Sequence, residues 1–160
     1  PFFNVAYGGH VQSHIKNSKT DKKREGDKDW YITASQPDRP GGITYSSLTF
    51  DPPLKENESL VSELDQDLTN DNLVQCYLQK EPARKLTNLK KVPILILSAE
   101  ASYHSPYDHG TSNFLNQAGV KHDFLRLEDR NIKGNGHMMM LEKNNHEIAD
   151  CLLNWMHSKI

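Results

Sequence analysis

The sequence predicts an α/β fold, and three observations carry that expectation. Val92-Pro93-Ile94-Leu95-Ile96-Leu97 is a short continuous apolar run bounded by polar residues, the pattern of a strand covered on both faces, as in a parallel sheet. A helical segment and a second apolar stretch, Phe124 to Leu127, follow it. The resulting order of strand, helix, strand, loop and helix is that of a crossover unit whose two strands run parallel with a right-handed connection.

Taken in order, the first 57 residues are polar and punctuated by Gly and Pro, and they read as a loop or lid-like insertion. Lys16 to Asp29 is a mixed-charge tract without one apolar residue, and such a tract cannot bury enough surface to offset the entropy of ordering it. Aromatic islands interrupt this region at Phe2-Phe3, at Trp30-Tyr31-Ile32 and between Tyr45 and Phe50. From about residue 58 helical spacing begins. Leu60, Val61, Leu64 and Leu68 recur on one helical face, and Asn70 or Asp71 is placed to cap a second short helix carrying Leu73, Val74, Tyr77 and Leu78, stopped by Pro82.

After the Ile94–Leu97 strand, Thr111 is placed to cap a helix containing Phe114, Leu115 and Ala118, with Gly119 as its stop. Phe124 to Leu127 is the next strand. A loop holding Gly134 and Gly136 leads to a last helix whose stripe is Ile148, Ala149, Leu152, Leu153 and Met156, with Trp155 beside it.

Composition agrees with topology in pointing to an incomplete domain. The chain has 160 residues, of which 36% are hydrophobic and 25% charged, with a mean hydropathy of -0.74; a typical globular domain is roughly 45–50% apolar. Two strands do not make a sheet, and a pair covered on both faces needs further strands. The expectation is one partial α/β domain over residues 1–160, the C-terminal part of a larger one, completed by a missing or separate N-terminal part. Lys and Arg number 19 against 21 Asp and Glu, a net charge of -2, which excludes the basic surface that duplex nucleic acid demands. No run approaches the ~18 apolar residues of a spanning helix, so neither nucleic acid nor membrane is an expected partner. Cys76 and Cys151 cannot build a disulfide scaffold and read as small apolar residues within helices. Asn57-Glu58-Ser59 is an acceptor sequence for glycosylation if the protein is exported.

Chemistry is expected on the loops that follow the two strands, because sites in open α/β sheets gather beyond strand C-terminal ends. On the second loop, Gly134-Asn135-Gly136-His137-Met138-Met139-Met140 places a histidine among glycines that let backbone approach closely. His137 is therefore a candidate general base; the alternative is a histidine satisfied within a tight turn among packing methionines. On the first loop lie Glu100, Ser102, Tyr103, His104, Asp108 and His109. Glu100 or Asp108 could orient His137, Tyr103 and His104 could line a substrate pocket, and Asp108 could simply cap the next helix. His104, Asp108 and His109 do not have the spacing of a zinc motif, and no metal or other cofactor is expected. A nucleophile is missing: Ser46, Ser47 and Ser102 lack the glycines of a G-x-S-x-G elbow.

The stretch from Val92 to Trp155 resembles the C-terminal part of α/β-hydrolase-fold serine esterases, in particular a microbial subfamily with a GNGHMMM-type histidine loop. In this chain that loop is Gly134 to Met140. The segments from Pro93 to His104, from Glu81 to Leu86 and from Leu48 to Pro53 are also similar to that subfamily. The resemblance implies that His137 is the triad histidine. It also implies that the nucleophilic serine and an acidic glutamate lie upstream of Pro1, since Pro1-Phe2-Phe3-Asn4-Val5 looks like the continuation of the acid's Glu-Pro-x-Gly-Pro segment. Glu100 is then a reserve for the acid. The implied protein is a serine-dependent carboxylesterase, active only with its N-terminal part as a separate chain in a two-chain enzyme, acting on a small-molecule ester and plausibly secreted. Trp30 and Tyr31 would lie in a lid over the pocket. The alternative is a non-catalytic, truncated hydrolase-fold module with a binding or structural role; a lyase or isomerase using His137 would also fit the scaffold.

Overall fold

A computed structural model describes residues 12–15, 30–33, 49–56, 58, 60–64, 73, 75–102, 104–106 and 108–159. Six strands and two α-helices occur among them, in the order β1 (Gln12–Ile15), β2 (Trp30–Thr33), β3 (Ser62–Leu64), β4 (Gln75–Gln79), β5 (Leu95–Ser98), α1 (Asp108–Gln117), β6 (Asp123–Arg126) and α2 (Asn145–His157). The fold is α/β in its C-terminal half, and an antiparallel sheet accompanies it.

The parallel pair is where the apolar runs placed it. β5 and β6 align Leu95 with Asp123, Ile96 with Phe124, Leu97 with Leu125 and Ser98 with Arg126, and α1 connects them. Alternation along β5 feeds two separate cores. Ile94 and Ile96 pack with Phe50, Leu86, Phe114, Leu115, Ala118 and Val120 on the α1 side. Leu97 and Ala99 join Leu125, Leu127, Ile132, Ile148 and Cys151 on the α2 side. Helices thus cover both faces, as a parallel pair requires. The strand side chains are nonetheless only half-buried over most of their length, for among the described residues β5 and β6 pair only with each other.

Helix α1 begins three residues before Thr111, with Asp108 in its first turn, where a carboxylate faces the positive end of the helix dipole. It ends as expected. Gly119 adopts a φ of 72°, the Val120 N–H donates to the Leu115 carbonyl at 2.9 Å and the Gly119 N–H to the Asn116 carbonyl at 3.0 Å. That is the Schellman arrangement, which satisfies the last carbonyls of the helix. Strand β6 starts and ends one residue earlier than the apolar pattern marks, and Leu127 opens a 3-10 turn instead.

The stripe of α2 is corrected. Ile148 is buried, and Cys151, Leu152 and Trp155 are half-buried, whereas Ala149, Leu153 and Met156 are exposed. The helix is turned so that Trp155 Nε1 donates to Asp123 Oδ2 at 2.7 Å, and Lys159 Nζ lies 2.6 Å from the same oxygen.

The helices expected between residues 58 and 80 are also corrected. Residues 62–64 and 75–79 are strands of a four-stranded antiparallel sheet in the order β2-β1-β4-β3. Ser62 pairs with Gln79 and Leu64 with Tyr77, while Ser13 pairs with Cys76. Long-range pairing overrides the local helical spacing, which in short apolar runs does not separate the two periods. β4 is tied to α1 by a reciprocal amide lock: the Gln79 N–H donates to Gln117 Oε1 at 2.9 Å and Gln117 Nε2 donates to the Gln79 carbonyl at 2.7 Å. Two strands, β1 and β2, lie within the region read as loop, and β2 is the Trp30-Tyr31-Ile32 island. Leu68, Asn57 and the Lys16–Asp29 tract lie outside the described residues. No helix among the described residues is long and apolar enough to cross a membrane.

Candidate active site

Two loops leave the C-terminal ends of the parallel pair, and they are joined to each other. The Ala101 N–H donates to the Asn135 carbonyl at 2.9 Å, and the Gly134 N–H donates to Glu100 Oε2 at 2.9 Å. Gly134 has a φ of 76°, a backbone state that glycine adopts without the strain a side chain adds.

The second loop is knitted around Asn135, whose side chain is 1% exposed. Asn135 Nδ2 donates to Glu142 Oε2 at 2.5 Å and to Asn144 Oδ1 at 2.7 Å, and Asn144 Nδ2 donates back to Asn135 Oδ1 at 3.0 Å. Glu142 Oε1 accepts the Gly136 N–H at 2.7 Å. Every polar atom of the buried amide is used, which is what its burial demands. The clasp brackets residue 137 between two anchored points.

His137 emerges from this clasp and meets the first loop. Its ring lies on that of His104, with centroids 4.4 Å apart and planes 11° from parallel. His104 Nδ1 is 3.5 Å from Asp108 Oδ1. Ser102 Oγ is 3.4 Å from His137 Nδ1 and accepts the His104 backbone N–H at 3.1 Å. Partial burial pushes the His137 pKa below that of an ordinary imidazole; the neighbouring His104 pushes it the same way and Asp108 opposes both. A neutral imidazole held in this way can take up a proton, the requirement of a general base.

The residues singled out in the sequence fall as follows. His137, His104 and Asp108 are brought together. Glu100 is at the rim, engaged by the Gly134 backbone, and not at the imidazole stack. His109 is in the first turn of α1, and Tyr103 lies outside the described residues. Among the described residues no group of three or more His, Cys, Asp or Glu is arranged to hold a metal ion. Of the three methionines after His137, only Met139 packs against the core, and Met138 and Met140 are exposed. Sequence reasoning passed over Ser102 as lacking an elbow and did not single out Asn135, Glu142 or Asn144.

The geometry defines an α/β site with one histidine poised at the C-terminal side of a parallel strand pair. In sequence the chain is similar to a probable secreted lipase (phiG) of a fungal species, with 43% identity over 123 residues. The similar stretch is 74% of this chain and 32% of that lipase, so the chain spans about a third of the relative's length. No family model matches the chain, and no solved structure matches it.

Proposed function

We propose that this chain supplies the catalytic histidine, His137, of a serine-dependent carboxylic ester hydrolase of the α/β-hydrolase fold, and is the C-terminal portion of that fold. The observation that carries the reading is the placement of His137 on a clasped loop at the strand ends, in a chain 43% identical to part of a secreted lipase. In the reaction, a serine attacks the ester carbonyl and His137 takes the serine proton, then returns it to the leaving alcohol. Water repeats the sequence on the acyl-enzyme. The nucleophilic serine and a glutamate that orients the imidazole belong to polypeptide outside these 160 residues. Among the described residues β5 and β6 pair only with each other, which supports that reading, since an isolated parallel pair is not a stable sheet. His104, stacked on His137, lines the pocket. The protein is secreted, by analogy with the relative's name.

The test is labelling of the native protein with a serine-reactive phosphonate, combined with ester turnover of the His137→Ala variant. Labelling of a serine outside this chain is expected, with kcat falling by several orders of magnitude in the variant, as for a residue of a triad acting as a unit. Absence of labelling in every complex containing the chain would favour the non-catalytic module.

A further inference from the structure

We propose that Asn135 and Glu142 are positioning residues for His137: the buried amide and the carboxylate fix the backbone on either side of the imidazole and so hold the ring against His104, where the nucleophile meets it. The proposal rests on the ester-hydrolase reading and deepens it.

Glu142 is bound at both oxygens: Asn135 Nδ2 donates to Oε2 and the Gly136 N–H donates to Oε1. A carboxylate accepts on both oxygens, whereas an amide accepts on one, and bonds to an ionised acceptor are the stronger kind. Asn144 is the N-cap residue of α2, yet its side chain makes no cap hydrogen bond. A side chain favoured there for satisfying helix N–H groups is spent instead on Asn135, with bonds in both directions. Gly136 is explained by the same contacts. A Cβ at that position would stand 3.3 Å from Glu142 Oε1, inside ordinary van der Waals contact, and would press on the carboxylate that accepts the Gly136 N–H.

The consequence for His137 is geometric. Gly134 and Gly136 precede it, and glycine backbone is the least restricted of any. The clasp removes that freedom one residue before the imidazole, and the chain returns to the same carboxylate at Glu142. Between these points the Leu141 N–H donates to the Met138 carbonyl at 2.9 Å and Met139 packs on the core, so the arc is a closed turn. A catalytic group displaced by about 1 Å can lose about a hundredfold in rate. Loss of the clasp therefore falls on turnover, and substrate binding is largely spared.

The deciding experiment is a double-mutant cycle on ester hydrolysis, read together with the NMR signal of the His137 ring, assigned through His137→Gln. Asn135→Asp sets two carboxylates face to face, and Glu142→Gln leaves one of two donors without its acceptor. Each is expected to lower kcat about tenfold with KM within about twofold. Combined, they remake the bond in the opposite direction while the Gly136 N–H keeps its acceptor, and kcat is expected to rise about threefold or more above either single variant. The His137 Cε1–H signal, displaced by the stacked His104 ring, is expected to move toward that of an unstacked imidazole in each single variant and to return in the pair. Unchanged kcat and ring signal in the single variants, or a pair no better than either, would sink the proposal. Where the variants do not fold, the native protein decides: the Asn135 side-chain amide protons are expected to exchange with solvent far more slowly than those of exposed Asn116 and Asn131, and equal rates overturn the proposal. Failure of the hydrolase reading shows separately, as absent labelling of any serine, and leaves the ring signal to decide.

Discussion

At the scale of single residues, His137 stands under opposing influences whose signs are separable. Burial and the adjacent His104 favour its neutral form, and Asp108 favours its charged one. Because its folded pKa is depressed, the unfolded chain binds this proton at a higher pH than the native protein does, so the site costs stability as pH falls through the ordinary imidazole value. For activity the same shift keeps the base competent to lower pH. His104→Phe preserves a stacking ring and removes the neighbour that disfavours the charged form of His137, so the acid limb of kcat/KM against pH is expected to move upward. Asp108→Asn is expected to move it downward, because the carboxylate that favours the charged form of His137 is lost. Both shifts are read from ester hydrolysis across the acid range; a downward shift in His104→Phe or an upward one in Asp108→Asn would show that the stack does not set the titration. The loop carrying His137 stood out in the sequence because two glycines precede a histidine shortly after a strand.

Among the elements, legibility followed the range of the forces. Helix α1 and its stop were readable because the Gly119 signal is local. Gly119→Ala is expected to cost about 1 kcal/mol, the penalty for a side chain in a left-handed state. The space there is ordinary, with Lys85 Cδ 3.6 Å from an added Cβ, so the loss is conformational and not steric. Thermal unfolding measures it, and a neutral or stabilising substitution would mean that the turn relaxes. Strand β4 was not readable, for one of its partners lies outside the local window: it pairs with β1, some sixty residues earlier. The buried Gln79 reports the same point. Its side chain bonds to the backbone of Arg84 and its own backbone to Gln117, contacts no periodicity announces. The last helix kept its span and lost its predicted face, because Asp123 and Lys159 draw Trp155 toward β6.

At the scale of the molecule, the composition and the two-strand topology announced an α/β unit short of core, and the architecture bears out the α/β part. Two cores sit on opposite sides of one parallel pair, and the site lies where that pair ends. The antiparallel sheet was invisible beforehand, since half of its strands are four residues long and lie in polar surroundings.

The two loops at the strand ends share hydrogen bonds in both directions, from Ala101 to Asn135 and from Gly134 to Glu100. Neither can swing away alone without abandoning a donor on the other. In deuterium-exchange experiments the amides of Ala101, Gly134 and Gly136 are therefore expected to open with one common rate, slower than that of exposed turns, and Glu142→Gln should quicken all three together. Independent rates would show two separate hinges. A common one means that the imidazole and the loop facing it open as a single gate.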